Sequence, residues 1–324
     1  MKAFATLIVF VISMAAAPVT AAVRVPVPAG LGVYEGAGCD GVAQLKKFES
    51  WYGGKANQVI DFLAWSMLET RSVWLPKCWK DAGRKAVVFS VPMLPGDGHT
   101  TLADGASGKF DKLFRDYAAV LQKYGYGTAV IRIGWEFNGD WYPWAAGKDP
   151  TSWIKYWRRI VTAMRSVPGT SFQFDWCPAA GWTRFRAADA YPGDAYVDVI
   201  GLDVYNISWD PKVKTPEQRW SALTYAMQGL RWHRDFAASH GKAMSFPEWG
   251  TGKRGDKLGG GDDPYFIEHM ADWMHDNPVL YHNYWDYAHA YFNGKLSDGH
   301  QPKSGAAFIE SFRRQVASAM WART

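Results

Sequence analysis

Eight short runs of apolar and β-branched residues punctuate this chain, with helical-period segments set among them, and that alternation narrows the choice of fold more than any other feature. The runs are LGVYEG (31–36), VIDFLAWS (59–66), KAVVFSVPM (85–93), TAVIRIGWEF (128–137), SFQFDWCP (171–178), VDVIGLDVY (197–205), AMSFPEWG (243–250) and LYHNYWDYA (280–288). Near-continuous hydrophobicity over so few residues marks strands buried on both faces, as in a parallel sheet covered by helices. Between them, the segments 109–125, 151–167, 217–241 and 265–276 repeat apolar residues at helical spacing, and AAFIESFRRQVASAMW closes the chain as a helix. Pro150 and Pro216 stand where helices should start, Gly125 and Gly241 where they should stop. These strand and helix alternations predict a single (β/α)8 TIM barrel. A doubly wound nucleotide-binding sheet is the competitor, but VYEGAGCDG after the first strand lacks the GxGxxG phosphate fingerprint.

Residues 1–22 have the layout of a secretory signal peptide, with one charge at Lys2, an apolar run and small residues ending at Ala21 and Ala22. The run is too short to span a bilayer, and no later stretch is long enough. The expected product is therefore an exported, soluble, monomeric domain over residues 23–324, secreted or periplasmic, with no membrane partner. The net charge of +5, or +4 without Lys2, is scattered, which argues against a nucleic-acid partner. No CxxC or HxxxH spacing offers a metal site, and no cofactor is expected. In an oxidising compartment three cysteines suggest one bridge and one buried thiol. Cys177 lies in a strand-like apolar run, so Cys39 and Cys78, both in loop-like stretches, are expected to pair.

In a barrel of this kind the working side chains lie at the carboxyl ends of the strands. There the fourth run carries Glu136, the seventh Glu248, the sixth Asp203 and Tyr205, the fifth Asp175, the second Trp65, and the eighth His282, Trp285 and Asp286. Glu136 and Glu248, reaching inward from opposite sides, are expected about 5 Å apart, the separation used by retaining glycosidases. Glu136, between Trp135 and Phe137, is placed to hold its proton, and Glu248, with Arg and Tyr partners available, to stay ionised. Arg132 is read as lying on the same side of its strand as Glu136, either holding the nucleophile ionised or satisfying the barrel acids. The chain also holds 18 Trp and 16 Tyr, and flat rings stack on sugars as readily as they fill cores, so position has to decide. Trp141, Tyr142 and Trp144 follow Glu136 on a loop and are read as sugar-stacking rather than core, with at least one of the three expected to pack. Trp65, Trp176 and Glu35 are read as lining subsites or packing, and His99 as facing the cleft or simply solvated. Trp153, Trp157, Trp220 and Trp232 recur at helical spacing and are read as core, and the KRGDK segment (253–257) as a solvated loop.

Taken together, GWEFNGDWYPW (134–144) and FPEWG (246–250), with GVYEG near the start, GLDVYN (201–206) and YWDY (284–287), resemble glycoside hydrolase family 26, whose best-known members are β-mannanases. The resemblance spans nearly the whole mature chain and implies retaining hydrolysis in a (β/α)8 barrel. It makes Glu136 the acid/base and Glu248 the nucleophile, with Tyr205 hydrogen-bonded to the nucleophile and Trp285 the platform beneath the sugar at the cleavage point. The expected substrate is a β-linked polysaccharide, β-1,4-mannan first, with mixed-linkage β-glucan, β-1,3-xylan or an exopolysaccharide as alternatives. Trp135, counted among the substrate-binding residues with Arg132 and Asp203, stands where many mannanases of the family carry a histidine. An indole N–H donates but cannot accept a hydrogen bond, so contacts to the sugar 2-hydroxyl do not carry over. A catalytically silent carbohydrate-binding barrel is the alternative from another class, and the presence of both carboxylates weighs against it.

Overall fold

Eight parallel strands close into a ring in the computed structural model, which describes residues 30–321. The expected leader lies outside the described residues. The strands are β1 (Leu31–Tyr34), β2 (Gln58–Phe62), β3 (Val87–Val91), β4 (Val130–Ile133), β5 (Gln173–Trp176), β6 (Val199–Gly201), β7 (Ala243–Gly250) and β8 (Val279–Trp285). Each pairs with its successor, and β8 returns to β1, so the expected (β/α)8 barrel is formed. A short extension, Val204–Tyr205, also pairs with β7. Around this ring β4 and β7 stand three positions apart rather than diametrically opposite, a correction to the simpler expectation.

The pleat sorts the residues of each strand. Phe62, Ser90, Arg132 and Asp175 lie in register across β2 to β5, one layer below the carboxyl end. Beneath them Ile60, Val88, Val199 and Tyr281 form a separate buried apolar cluster. The alternate residues, such as Ile131, Ile133, Phe174 and Trp176, are buried in the larger core. Trp153 and Trp157, on the helix Pro150–Arg165, are wholly buried there, whereas Trp220 and Trp232 are only half-buried.

Three local expectations need correction. The segment 217–241 is two helices, Pro216–Tyr225 and Leu230–Ser239. Between them Gln228 turns inward and binds Thr183 and the backbone of Ala187, while a Cβ on Gly229 would lie 2.2 Å from the Leu223 carbonyl. Lys253–Arg254 is a short strand paired with Phe292–Asn293, not a free loop, and Arg254 is buried. Cys39 and Cys78 lie on the helices Gly38–Tyr52 and Trp74–Asp81, not in loops, and they are bridged with their Cα atoms 5.0 Å apart.

The bridge joins residues 39 positions apart, so in the unfolded chain it removes the freedom of a sizeable loop. The double variant Cys39→Ser/Cys78→Ser should be less stable by about 3 kcal/mol. Urea unfolding of the oxidised protein and the variant measures the difference; equal midpoints at equal slope would contradict it.

Candidate active site

Strand β4 stops at Ile133 because the next residues leave the extended conformation. Gly134 has φ +48°, and a Cβ there would meet the Met93 sulfur at 2.3 Å, so only glycine fits. Glu136 itself has φ +52°, in the left-handed region, where a side chain of this size costs on the order of 1 kcal/mol or more. Its amide donates to the Cys177 carbonyl (2.8 Å) just beyond β5, and its carbonyl accepts from Gly139 N–H (3.0 Å). The run TAVIRIGWEF is therefore a strand ending in a strained turn, and the turn sets the direction of the Glu136 carboxyl.

Glu248 is held differently. It lies within β7, its Oε1 accepting from Arg132 Nη1 (2.7 Å) and its Oε2 from the Tyr205 hydroxyl (2.7 Å). Its own amide donates to Asp203 Oδ1 (3.1 Å). With both oxygens engaged, the carboxylate has little freedom to rotate. Arg132 is wholly buried; it also pairs with Asp203, donates to Ser90 Oγ (3.2 Å), and lies 5.5 Å from the Trp135 ring centre. Burial works against the Arg132 charge, but Asp203 and the other anionic neighbours outweigh it and hold the guanidinium protonated. Asp203 additionally accepts from the Cys177 thiol (3.2 Å). Burial, reinforced by Glu248, holds the Tyr205 phenol well above its ordinary range, so it remains a donor.

Glu136 feels the opposite balance. Burial first, and repulsion from Glu248 second, push its pKa up to about 7. The Trp141 indole N–H, donating to Oε2 at 2.8 Å, and the Arg132 charge pull it down. The two carboxylates thus sense one another while one is neutral-prone and the other is gripped by donors.

The remaining predicted residues separate into two groups. Trp141 is 53% exposed beside Glu136, and Trp285 is partly open, with one face stacked on Tyr34 at 4.3 Å between ring centres. Tyr142 is half-buried and stacks on Trp144 at 4.6 Å. Trp144 itself is buried, its indole donating to the Trp135 carbonyl, so it supports Tyr142 rather than standing open as a sugar platform. Trp135 is also buried, packed against Phe62, Tyr142 and Trp144. Trp176 is fully buried against Phe137, Tyr191 and Phe236, because it is the outward neighbour of inward Asp175, and it does not line the cleft. Trp65 begins the short helix Trp65–Glu69, packs on Phe110 and Phe114, and donates its indole N–H to Glu69.

His282 points outward to Trp249 and Phe312, and burial lowers its pKa to about 3. Asp175 is buried inside the barrel on Ser245 and Tyr281, its pKa raised to about 6 by burial. Asp286 caps the backbone of Ser297, and Glu35, pushed up to about 10 by burial and then by Asp286, reaches Lys295. His99 is solvated and bonded to Asp97. Among the described residues, no group of His, Cys, Asp and Glu is placed to hold a metal ion, and no helix is long and apolar enough to cross a membrane.

Removing the Arg132 charge leaves Asp203 buried without its counter-ion. Arg132→Met should destabilise the fold by about 3–5 kcal/mol. A loss below 1 kcal/mol in urea unfolding would show that Arg132 is not what neutralises this layer.

Known proteins supply an independent comparison. Residues 104–219 match the model of glycosyl hydrolase family 26, a span that includes Arg132, Glu136, Asp203 and Tyr205. The chain is 28% identical over 266 residues to a mannan endo-1,4-beta-mannosidase of Bifidobacterium adolescentis, covering 75% of this chain and 25% of that protein. It is 27% identical over 198 residues to Endoglucanase H of Acetivibrio thermocellus, covering 57% of this chain and 21% of that one. It therefore spans a quarter or less of each of these relatives. Among solved structures, a double mutant of a Cellulomonas fimi endo-beta-1,4-mannanase superposes with a TM-score of 0.63 at 18% identity, covering 87% of this chain and 71% of that one. The chain is thus similar to glycosyl hydrolase family 26 in sequence over residues 104–219, and its barrel is similar to that of a mannanase of known structure.

Proposed function

We propose that the chain is an exported retaining endo-β-glycanase, with β-1,4-mannan its leading substrate. The observation that carries this reading is the unequal treatment of two carboxylates at one barrel mouth: Glu136 biased toward its neutral form, Glu248 fixed by Arg132 and Tyr205. Glu248 attacks the anomeric carbon while Glu136 donates its proton to the departing glycosidic oxygen. The resulting glycosyl ester carries no charge on Glu248, so the repulsion that raised the Glu136 pKa disappears. Glu136, now a carboxylate, takes a proton from water; the hydroxyl adds at the anomeric carbon and Glu248 leaves. Trp285, backed by Tyr34, is the platform for the sugar at the cleavage point, and Trp141 the first ring on the leaving side.

The mannosidase among the relatives supports mannan, and Endoglucanase H keeps a β-glucan as the second reading. Trp135 offers only a donor, and its buried ring shares a side-chain hydrogen bond with Tyr142, so the sugar 2-hydroxyl needs another partner. A reducing-sugar assay over galactomannan, lichenan, β-1,3-xylan and bacterial exopolysaccharides distinguishes the substrates. The N-terminal sequence of the secreted protein tests export, with cleavage after Ala22 expected.

Glu136→Ala and Glu248→Ala should each lower the hydrolysis rate by roughly a hundredfold or more. The first product seen by proton NMR should retain the anomeric configuration; inversion, or near-normal rates in either variant, would sink the mechanism. Because Glu136 must be protonated to act, activity should decline as pH rises through about 7. Trp141→Phe deletes a bond that favours the carboxylate, which raises the Glu136 pKa and moves that alkaline limb to higher pH. A limb that stays in place in the pH profile of kcat/KM would refute the assignment.

A further inference from the structure

The loops beyond β6, β7 and β8 carry an aromatic cluster that the catalytic pair does not use. Trp209, in NISWDP, is 70% exposed and Tyr291 is 61% exposed. Single exposed rings are ordinary, but these two share one cation. The Arg254 guanidinium carbon lies 5.1 Å from the Trp209 ring centre and 4.2 Å from that of Tyr291, and Arg254 is itself buried. Its Nη2 donates to the Tyr291 hydroxyl, and Asp256 receives Nε at 3.0 Å and Nη2 at 2.7 Å.

This cluster rests on paired backbone. Arg254 is opposite Phe292, Ile207 is bridged to Gly259, and Ser208 N–H donates to the Leu258 carbonyl at 3.1 Å. The rings are therefore held in place rather than trailing on free loops. They are also continuous with the catalytic centre, because Phe292, next to Tyr291, packs edge-on against Tyr205 at 4.9 Å, and Tyr205 holds Glu248.

We propose that Trp209, Arg254 and Tyr291 form a distal subsite for the glycone portion of a β-glycan chain. The proposal rests on the glycanase reading for its direction: Glu136 protonates the leaving oxygen from the β4 side, so the retained sugars run toward the loops after β7 and β8. A pyranose presents an apolar face and a polar rim. The two rings, held by the buried Arg254, match the face, and the part-exposed Asp256 beside them matches the rim hydroxyls. An apolar protein surface would cover the exposed edge of the Asp256 carboxylate without offering it a donor.

The test uses Trp209→Ala and Tyr291→Ala, with Trp209→Phe as the ring-preserving variant and Tyr225→Ala as a control at an exposed ring on an outer helix. On oligosaccharides of the sugar that the wild type cleaves, the ratio of kcat/KM for hexamer over trimer should fall about tenfold in both alanine variants, a loss of about 1.4 kcal/mol. It should recover in Trp209→Phe and stay unchanged in Tyr225→Ala. Calorimetric titration of manno-, cello- and laminarihexaose into Glu248→Ala, with and without Trp209→Ala, reads the subsite without turnover. Should the wild type cleave no glycan, the glycanase reading fails while the titration still decides the subsite. Equal hexaose affinity with and without Trp209, no measurable affinity in either, or an unmoved chain-length ratio would overturn the proposal.

Discussion

A guanidinium with no access to water has to be neutralised where it stands, and the mouth of this barrel is organised around that requirement. Arg132, on β4, reaches Ser90 on the adjacent β3 and, across the barrel, Asp203 beyond β6 and Glu248 on β7, so one buried side chain ties its own side of the ring to another. Taking such charges from water costs several kcal/mol per ion, and apolar residues of similar volume often do as well or better for stability. Stability alone therefore gives no reason for this layer. Its consequence is orientation: Glu248 cannot turn away while both of its oxygens are engaged.

The same charge explains why two glutamates at one mouth differ. Glu248 has the guanidinium and a phenol as direct partners, whereas Glu136 receives one exposed indole N–H and sits near the charge of Glu248. The strained turn at Gly134 and Glu136 maintains that difference, because an extended continuation of β4 would aim the side chain by the pleat instead.

Much of this was legible in the residues. Near-continuous apolar runs marked the strands of the barrel, and helical spacing correctly put Trp153 and Trp157 in the core. For Trp176 the choice between lining a subsite and packing was decidable from the strand: adjacent residues face opposite sides, so Asp175 and Trp176 never pointed into one space together. Trp144 gave no such warning, since its burial depends on stacking with Tyr142 and a bond to the Trp135 carbonyl. Arg254 was hidden for a similar reason. In KRGDK it looks like solvated charge, and only pairing with Phe292 and contact with Trp209 and Tyr291 bury it.

By itself the sequence determined the order of strands and helices, the closed barrel they imply, and which strand ends carry carboxylates, because periodicity and turn residues are local properties. The tertiary structure alone decided which partners each carboxylate obtains. Arg132 and Glu248 are 116 residues apart, and Tyr205 and Glu248 are 43 apart. Proximity over such distances is created by closure of the ring, and no local pattern encodes the burial or the charges that a side chain meets there.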